Sequence, residues 1–264
     1  MSSATWVIID TSFLVWREFY GGAHQDPAAA VSGAVYFAKS LQDRFLAHET
    51  TVWAFDAGPY NRATLLPTYK AGREAKERTP EEQEARVNLR FRIDALADKL
   101  RAKRCNVLRL EGFEADDHIA RAVEAVPKGD HAVICSRDRD LFQLLSHKCT
   151  MLDPVTDTIH TRDTFRAAYG NLHPQEWPEV KALSGCTTDD VPGILGVGDK
   201  TAVKYLTGKM NKLSPLYGKI SNFIGTMPHV VNLGLCRLPF PGTPSVRLER
   251  KEGAFLQTCG GTYV

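Results

Sequence analysis

Seven acidic side chains in this sequence follow directly on short apolar runs. Asp10 closes TWVIID, Asp56 closes TTVWAFD, Glu114, Asp116 and Asp117 come just after CNVLRL, and Asp138 and Asp140 come just after HAVICS. Oxygen-only ligand sets of this kind suit hard divalent cations such as Mg²⁺ or Mn²⁺. Two such ions held about 3.5–4 Å apart can activate water and stabilise the leaving oxygen of a phosphodiester. Carboxylates gathered for that purpose repel one another until the metal arrives, so the arrangement is costly without it. Taken singly, each acid has a simpler use. Glu114, Asp116 and Asp117 suit the positive end of a helix, Asp138 and Asp140 suit the cap of the next one, and Asp10 suits a local turn. Their recurrence at four successive strand ends is what points past capping to a shared site.

The elements that must position these acids alternate. Runs at 5–10, 50–56, 105–110 and 131–136 read as strands, and segments such as Ala34–Phe45 and Ile119–Val126 carry a helical period. This alternation predicts an α/β fold with a mostly parallel central sheet and helices on both faces. Ligands of such sheets sit beyond the carboxyl ends of the strands, where all of these acids would converge. Thr79-Pro80-Glu81-Glu82 is a helix start, with Thr79 as N-cap, Pro80 at the first position and Glu82 completing a capping box. Leu89, Ile93, Leu96 and Leu100 continue it as a buried stripe. The many charges of residues 70–104 read mainly as a solvated helix face. Lys70 to Arg78 lie before that helix, in a basic loop not far downstream of Asp56. Further on, residues 183–206 contain two probable helices around a loop holding Gly185, Pro192, Gly193, Gly196 and Gly198. Such glycines let backbone N–H groups approach a phosphate closely, and a helix N-terminus adds a favourable dipole. Beyond residue 207 the pattern fades, and a tail that packs back on the main body is expected.

Bulk properties set the limits. The 264 residues are 43% hydrophobic and 24% charged, as in an ordinary globular chain. With 33 basic and 31 acidic residues the formal net charge is +2, so a nucleic-acid surface must come from local sorting of charge. No apolar run approaches the roughly 18–20 residues of a membrane span, and the N-terminus lacks a signal-peptide pattern. The six cysteines include no C-x-x-C pair, which disfavours a structural zinc. Reduced thiols and a cytoplasmic setting are expected.

Five ordered motifs resemble the 5′ nucleases of the flap endonuclease type, including the 5′-nuclease domain of bacterial DNA polymerase I and its phage relatives. Asp10-Thr-Ser followed by Trp16-Arg17 is similar to the first acidic motif of that family. Phe55-Asp56, Arg62 and Tyr69-Lys70-Ala71-Gly72-Arg73 resemble the second motif and the base of a helical arch. Glu111-Gly112-Phe113-Glu114-Ala115-Asp116-Asp117 resembles the third and is the most specific. Ser136-Arg137-Asp138-Arg139-Asp140-Leu141-Phe142-Gln143-Leu144 resembles the fourth, and residues 185–202 resemble a helix–three-turn–helix.

The resemblance implies a PIN-like catalytic domain over 1–175 with a helical arch near 70–100, then a DNA-binding helix–three-turn–helix and tail over 176–264. It implies one metal position served by Asp10, Asp56, Glu114 and Asp116, and a second served by Asp117, Asp138, Asp140 and Asp189. Mg²⁺ is the expected ion, with Mn²⁺ able to substitute, and K⁺ a possible ion at the helix–three-turn–helix. Lys70 and Arg73 would contact the scissile phosphate. Trp16, Arg17, Arg62, Gly193, Gly196, Gly198, Lys200 and Thr201 would contact DNA, Trp16 by stacking on a base. Only about ten residues separate Lys70 from Pro80, so the capped helix must form one side of any arch. One departure stands out: where the family reads Gly-Asp-x-x-Asp-Asn, this chain has Gly185-Cys186-Thr187-Thr188-Asp189-Asp190. A thiol is a poor ligand for a hard cation, so the second position is weakened unless Asp190 compensates.

These features imply a free-standing, monomeric structure-specific 5′ nuclease acting on DNA flaps, branched or nicked ends and RNA primers, in a bacterial or phage-infected cytoplasm. A branched-DNA-binding relative with catalysis lost through Cys186 is the competing reading. A magnesium phosphotransferase would want a D-x-D motif, but Thr11-Ser12 follows Asp10. A PIN-like ribonuclease would leave residues 183–206 without a purpose.

Overall fold

Val7, Ile8 and Ile9 are fully buried, and that one run sets the centre of the molecule. The computed structural model describes residues 3–22, 25–58, 60–75 and 77–251 of the chain. Lys76 of the basic loop and Cys259 lie outside the described residues. Six strands, β1 Thr5–Asp10, β2 Thr51–Ala54, β3 Asn106–Leu108, β4 His131–Cys135, β5 Cys149–Asp153 and β6 Thr158–His160, form one sheet. Its order is β3-β2-β1-β4-β5-β6, parallel throughout except for the antiparallel edge strand β6.

Among the described residues ten α-helices accompany the strands: α1 Thr11–Gly21, α2 Pro27–Phe45, α3 Ala71–Ala75, α4 Pro80–Ala102, α5 Ala115–Ala125, α6 Arg162–Ala168, α7 Trp177–Ser184, α8 Asp199–Leu206, α9 Pro215–Phe223 and α10 Met227–Cys236. Alternate residues of β1 point to opposite faces, as the two-residue period of a strand requires. Trp6 and Ile8 join Ile119 of α5, Trp177 and Val180 of α7 and Val203 of α8 in one buried cluster. Val7 and Ile9 join Leu14 of α1, Ala34 of α2 and Leu89 and Ile93 of α4 in the other. Both faces are therefore covered, which is why the central strands read as unbroken apolar runs.

The four expected strands are present: β1 spans the whole of the run 5–10, and the other three are shorter than their runs. Strands β5 and β6 were not anticipated. CTMLD mixes polar with apolar residues, and β6 has only three residues, of which Thr158 and Ile159 are exposed, so neither gives a clean alternation. Thr79 caps α4 as expected, accepting from the Glu82 N–H at 3.2 Å. Helices α9 and α10 occupy residues where the sequence pattern had faded. Each begins with proline in its first turn, a start signal that holds even without a strong apolar stripe. The segment after α10 does return to the main body: Asn106 Nδ2 donates to the Glu249 carbonyl at 2.9 Å, and Lys251 N–H donates to the Glu49 carbonyl at 2.9 Å. One buried cluster runs from β1 through α7, α8 and Ile220 of α9, so residues on either side of 175 share a core.

Ile8 tests how far the sheet centre carries the fold. Ile8→Ala is expected to lower the unfolding free energy by about 2–5 kcal/mol, the range for emptying a buried aliphatic site. Urea melts should show a lower midpoint with an unchanged slope.

Candidate metal centre and adjoining cleft

The parallel sheet delivers the acids to its carboxyl edge. Asp10 is the last residue of β1 and also caps α1, its Oδ1 accepting from Phe13 N–H at 3.0 Å and its Oδ2 from Ser136 Oγ at 2.8 Å. Asp56, two residues past β2, accepts from Ala115 N–H at 2.9 Å, and its own N–H donates to Ser12 Oγ at 2.9 Å. Glu114 caps α5, with Asp116 and Asp117 in the first turn. Asp138 follows β4 and holds the Asp140 N–H at 2.8 Å. Asp10, Glu114 and Asp138 therefore do cap a helix or turn, as their simpler reading required, and the sheet still brings the acids to one edge.

Crowding and burial show in their protonation. Burial, then Asp56 and Asp138, push Asp10 up to about 7, against the hydrogen bonds from Phe13 and Ser136. Burial and Asp138 likewise push Asp140 up to about 7, with Lys181 opposing. Asp116 is held well above the usual carboxylate range by burial, with Arg62 opposing and Asp117 and Glu114 adding to the rise. Glu114 is raised by burial despite Lys70 and Arg62.

Cationic side chains now carry the counter-charge. Lys70 Nζ donates to Glu114 Oε1, Tyr69 Oη donates to Glu114 Oε2 at 3.1 Å, and Arg73 pairs with Asp189. Lys70 Nζ also lies 3.9 Å from Asp189, and Lys181 Nζ lies 3.9 Å from Asp140. Burial works against the charge on Lys70, but Glu114, Asp189 and Asp56 outweigh it and raise its pKa. No three His, Cys, Asp or Glu side chains among the described residues are closed tightly enough to hold an ion as they stand. The donor set nonetheless fits a divalent cation. It is rich in buried carboxylates whose ionised forms lack sufficient positive charge, and ammonium groups stand beside them.

Three sequence expectations are corrected. Asp117 is 0% exposed, and its carboxylate accepts from Arg62 Nη1 at 2.6 Å, Arg62 Nη2 at 2.9 Å, Phe240 N–H at 2.7 Å and Glu114 N–H at 3.1 Å. Four donors fill the lone-pair directions of a carboxylate, so Asp117 has none left for a metal. Arg62 is 2% exposed and cannot reach DNA. It is instead the internal cation of the cluster, 3.5 Å from Glu114 and 3.9 Å from Asp116, with Nε donating to the Leu235 carbonyl at 3.0 Å. Arg17 turns away from the acids: it pairs with Glu18, donates to the Pro154 carbonyl at 3.2 Å and stacks 4.3 Å from the Phe37 ring centre. Asp190, the candidate to replace the carboxylate missing at Cys186, accepts from Gly72 N–H at 2.7 Å and so faces the arch base.

A cavity of about 1040 Å³ opens beside Asp56 and Lys70. Its walls are α1 (Trp16, Tyr20), the loop at Tyr60, the arch base (Tyr69, Arg73, Arg78) and α4 (Arg86, Arg90), with Arg109 at the rim. Trp16 and Tyr20 stack at 5.8 Å between centroids, and the Arg86 guanidinium lies 4.7 Å from the Trp16 ring. Aromatic faces beside guanidinium groups are what a single nucleic-acid strand needs, stacking for bases and charge for phosphates. Sequence reasoning picked out Trp16 and set Arg78 in the basic loop, but left Arg86 and Arg90 on a solvated face. Which face of α4 lines the cleft is decided by the position of α1, whose Trp16 and Tyr20 lie beside Arg86. Ser12 and Ser136, which hold Asp56 and Asp10, were also missed, although both sit inside the acidic motifs themselves.

The glycine loop between α7 and α8 is packed backbone to backbone. A Cβ on Gly193 would lie 2.1 Å from the Ser184 carbonyl oxygen, and one on Gly185 (φ +75°) would lie 2.4 Å from Gly193 N. Gly196 has φ +88°, while Gly198 is the N-cap of α8. Lys200 is exposed and Thr201 half-buried in the first turn of α8.

Residues 5–170 match the family of the 5′-3′ exonuclease N-terminal resolvase-like domain. DNA polymerase I of Pseudomonas aeruginosa is 30% identical over 263 residues, which cover 97% of this chain and 27% of that protein. The chain thus spans about a quarter of the length of that relative. A 5′-3′ exonuclease of Buchnera aphidicola is 26% identical over 221 residues, covering 81% of this chain and 73% of that one. The solved structure of a bacteriophage T5 flap endonuclease in complex with DNA and metal ions superposes with a TM-score of 0.74 at 24% identity, covering 89% of each chain. The fold and the edge of acids are those of a 5′-3′ exonuclease N-terminal resolvase-like domain. This chain belongs to the 5′-3′ exonuclease family.

Two predictions follow from the charges. Arg62→Met should cost about 3–5 kcal/mol in a denaturant melt, because it strands Asp117 as an unpaired buried charge. Arg62→Lys should recover only part, since an ammonium cannot reproduce the two-pronged contact. For pH, Asp10 and Asp140 have folded pKa values near 7, above the 3.8 of the free side chain. The folded state then keeps protons that the unfolded state releases, so stability falls as pH rises from about 4 to about 7 and the loss is complete above that. Thermal melts in a chelator should show this decline above pH 5.5 or so, and saturating Mg²⁺ or Mn²⁺ should reduce it. A chelated melt that is flat across the window would contradict the assignment.

Proposed function

We propose that this protein is a divalent-metal-dependent 5′ nuclease that hydrolyses DNA phosphodiesters, as a 5′→3′ exonuclease and flap endonuclease. The observation that carries this reading is the set of acids on one sheet edge, opening onto a cleft of aromatic and guanidinium groups. Asp10, Asp56, Glu114 and Asp116 would hold one Mg²⁺ or Mn²⁺, and Asp138, Asp140 and Asp189 would contribute to a second position. When bound there, divalent ions supply Lewis-acid stabilisation of the phosphate and acidify water. Lys70 and Arg73, which pair with Glu114 and Asp189, would neutralise charge developing on the scissile phosphate. Trp16 and Tyr20 offer the face on which a base next to the cut stacks, once Arg86 moves to a phosphate.

The α7–α8 loop supports a grip on duplex phosphates through backbone N–H groups near Gly193, Gly196 and Gly198, with Lys200 and Thr201 at the start of α8. That region is the proposed helix–three-turn–helix of a unit spanning 176–264, with K⁺ as its proposed ion, and residues 1–175 are the proposed catalytic unit. The proposed substrates are 5′ flaps, branched or nicked duplexes and RNA–DNA primers, handled by a monomer in the cytoplasm during primer removal and repair. Among the described residues no helix is long and apolar enough to cross a membrane.

Cys186 keeps a second reading in play, a branched-DNA-binding relative with weak catalysis. A labelled 5′-flap duplex separates the two. With Mg²⁺ or Mn²⁺ the protein is expected to release the flap, and Lys70→Ala should slow the single-turnover rate by about 10²-fold or more with flap affinity little changed. Binding without cleavage in either metal would favour the second reading, and restoration by Cys186→Asp would establish it.

A further inference from the structure

Lys70 is held by more than carboxylates. Its Nζ lies 5.0 Å from the ring centre of Tyr60 and 5.1 Å from that of Tyr69, both close enough for a cation–π contact. Tyr69 also donates its hydroxyl to Glu114, whereas Tyr60 Oη makes no hydrogen bond among the described residues. Tyr60 therefore meets Lys70 through its ring. It is half-buried in the wall of the cleft, a wall it shares with Asp56, Ala57 and Lys70. Its backbone is pinned on both sides. The Tyr60 carbonyl accepts from Ala63 N–H at 3.0 Å, and the next residue, Asn61, donates its N–H to the Gly112 carbonyl at 2.9 Å. Gly112 N–H in turn donates to the Ala57 carbonyl at 2.7 Å, and Ala57 N–H donates to the Phe113 carbonyl at 3.1 Å. The ring and Glu114 are thus placed by two loops that are hydrogen-bonded to each other.

We propose that Tyr60 is a positioning residue for Lys70, its ring face orienting the ammonium within the cleft. This rests on the phosphate-facing role given to Lys70 above and adds the group that aims it. An ammonium on a four-carbon stem has many rotamers, and a carboxylate that restrains it also offsets its charge. The face of an aromatic ring attracts a cation without carrying a net charge of its own. A ring therefore narrows the directions open to Nζ while leaving its whole charge available to a phosphate. Tyr69 shares this contact, but its hydroxyl ties it to Glu114, so removing it disturbs a carboxylate as well. Tyr60 acts on the lysine alone.

Single-turnover cleavage of a labelled 5′-flap duplex by the full chain, in Mg²⁺ or Mn²⁺, reads this role. Tyr60→Leu is expected to slow the rate about tenfold with flap affinity and thermal midpoint little changed, and Tyr60→Phe to recover most of that loss. Pentafluorophenylalanine at position 60 keeps the shape of the ring but reverses the charge of its face, so it should behave like Tyr60→Leu even if leucine disturbs the fold. In a Lys70→Ala background Tyr60→Leu should add nothing, because the ring acts only through the lysine. Losses that multiply in the double variant, or a fluorinated ring as fast as phenylalanine, overturn the proposal and leave the nuclease reading intact. Nuclear magnetic resonance on protein carrying isotope-labelled lysine gives a readout independent of cleavage. The Lys70 ε-protons, shielded by the ring currents, should lie upfield and move downfield in Tyr60→Leu. Protons that do not move would also overturn the proposal. A chain that cuts no flap in either metal defeats the nuclease reading and the positioning role together.

Discussion

Burying carboxylates side by side is the constraint on which the rest of this structure depends. β2 and β4 flank β1 in the sheet and all three end at its carboxyl edge, so the acids that follow them meet there. The repulsion is met from two directions. Arg62 answers it from inside, where its guanidinium is held by Asp117 and faces Glu114 and Asp116. Lys70, Arg73 and Lys181 answer it from the cleft side, at carboxylates that a metal would otherwise neutralise. The internal cation is permanent, since no ligand can reach a side chain that deeply buried. The outer ones are exchangeable, and exchange is what would turn a stable resting arrangement into a reactive one.

The internal cation also explains why the chain continues past α8. Arg62 Nε is satisfied by the Leu235 carbonyl at the end of α10, its guanidinium lies 5.0 Å from the Phe240 ring centre, and Phe240 N–H closes the ring of donors on Asp117. Gln143, in the turn after Asp140, donates to the Cys236 carbonyl at 3.0 Å and accepts from Leu238 N–H at 2.9 Å. Residues 235–240 are thus bound to two of the acidic motifs at once. A buried ion pair is weak grounds for stability by itself, because desolvation offsets attraction. Here the pair serves position: it fixes the start of α5, and with it the direction of Glu114 and Asp116.

Much of this was legible in the sequence, and what was not has physical reasons. Apolar runs ending in acids gave four strands and the edge on which their acids meet, because burial on both faces leaves a strong local mark. The start of α4 was readable from Thr79-Pro80 because caps are local. Arg62 and Asp117 were misassigned because a buried ion pair and a surface pair have the same letters. Only the path of residues 235–240 across them decides which it is. Arg17 failed for the same reason, since its partners Pro154 and Phe37 are distant in sequence. Strands β5 and β6 lie toward the sheet edge, where solvent permits polar residues and the apolar signal weakens.

The least legible feature is how the arch base and the glycine loop are joined. Lys70 adopts φ +58° and Asp190 φ +57°, conformations that L side chains hold only when the surroundings enforce them. Both are enforced by the same contact. Lys70 N–H donates to the Asp189 carbonyl at 3.0 Å, Arg73 Nε donates to the Thr188 carbonyl at 2.9 Å, and Asp190 accepts from Gly72 N–H. A side chain at residue 72 would press on the Asp190 carboxylate at 3.0 Å, so glycine lets the two segments close. The glycine loop and the base of the arch are therefore joined as one packed unit, with Lys70 held to that loop through its own backbone N–H.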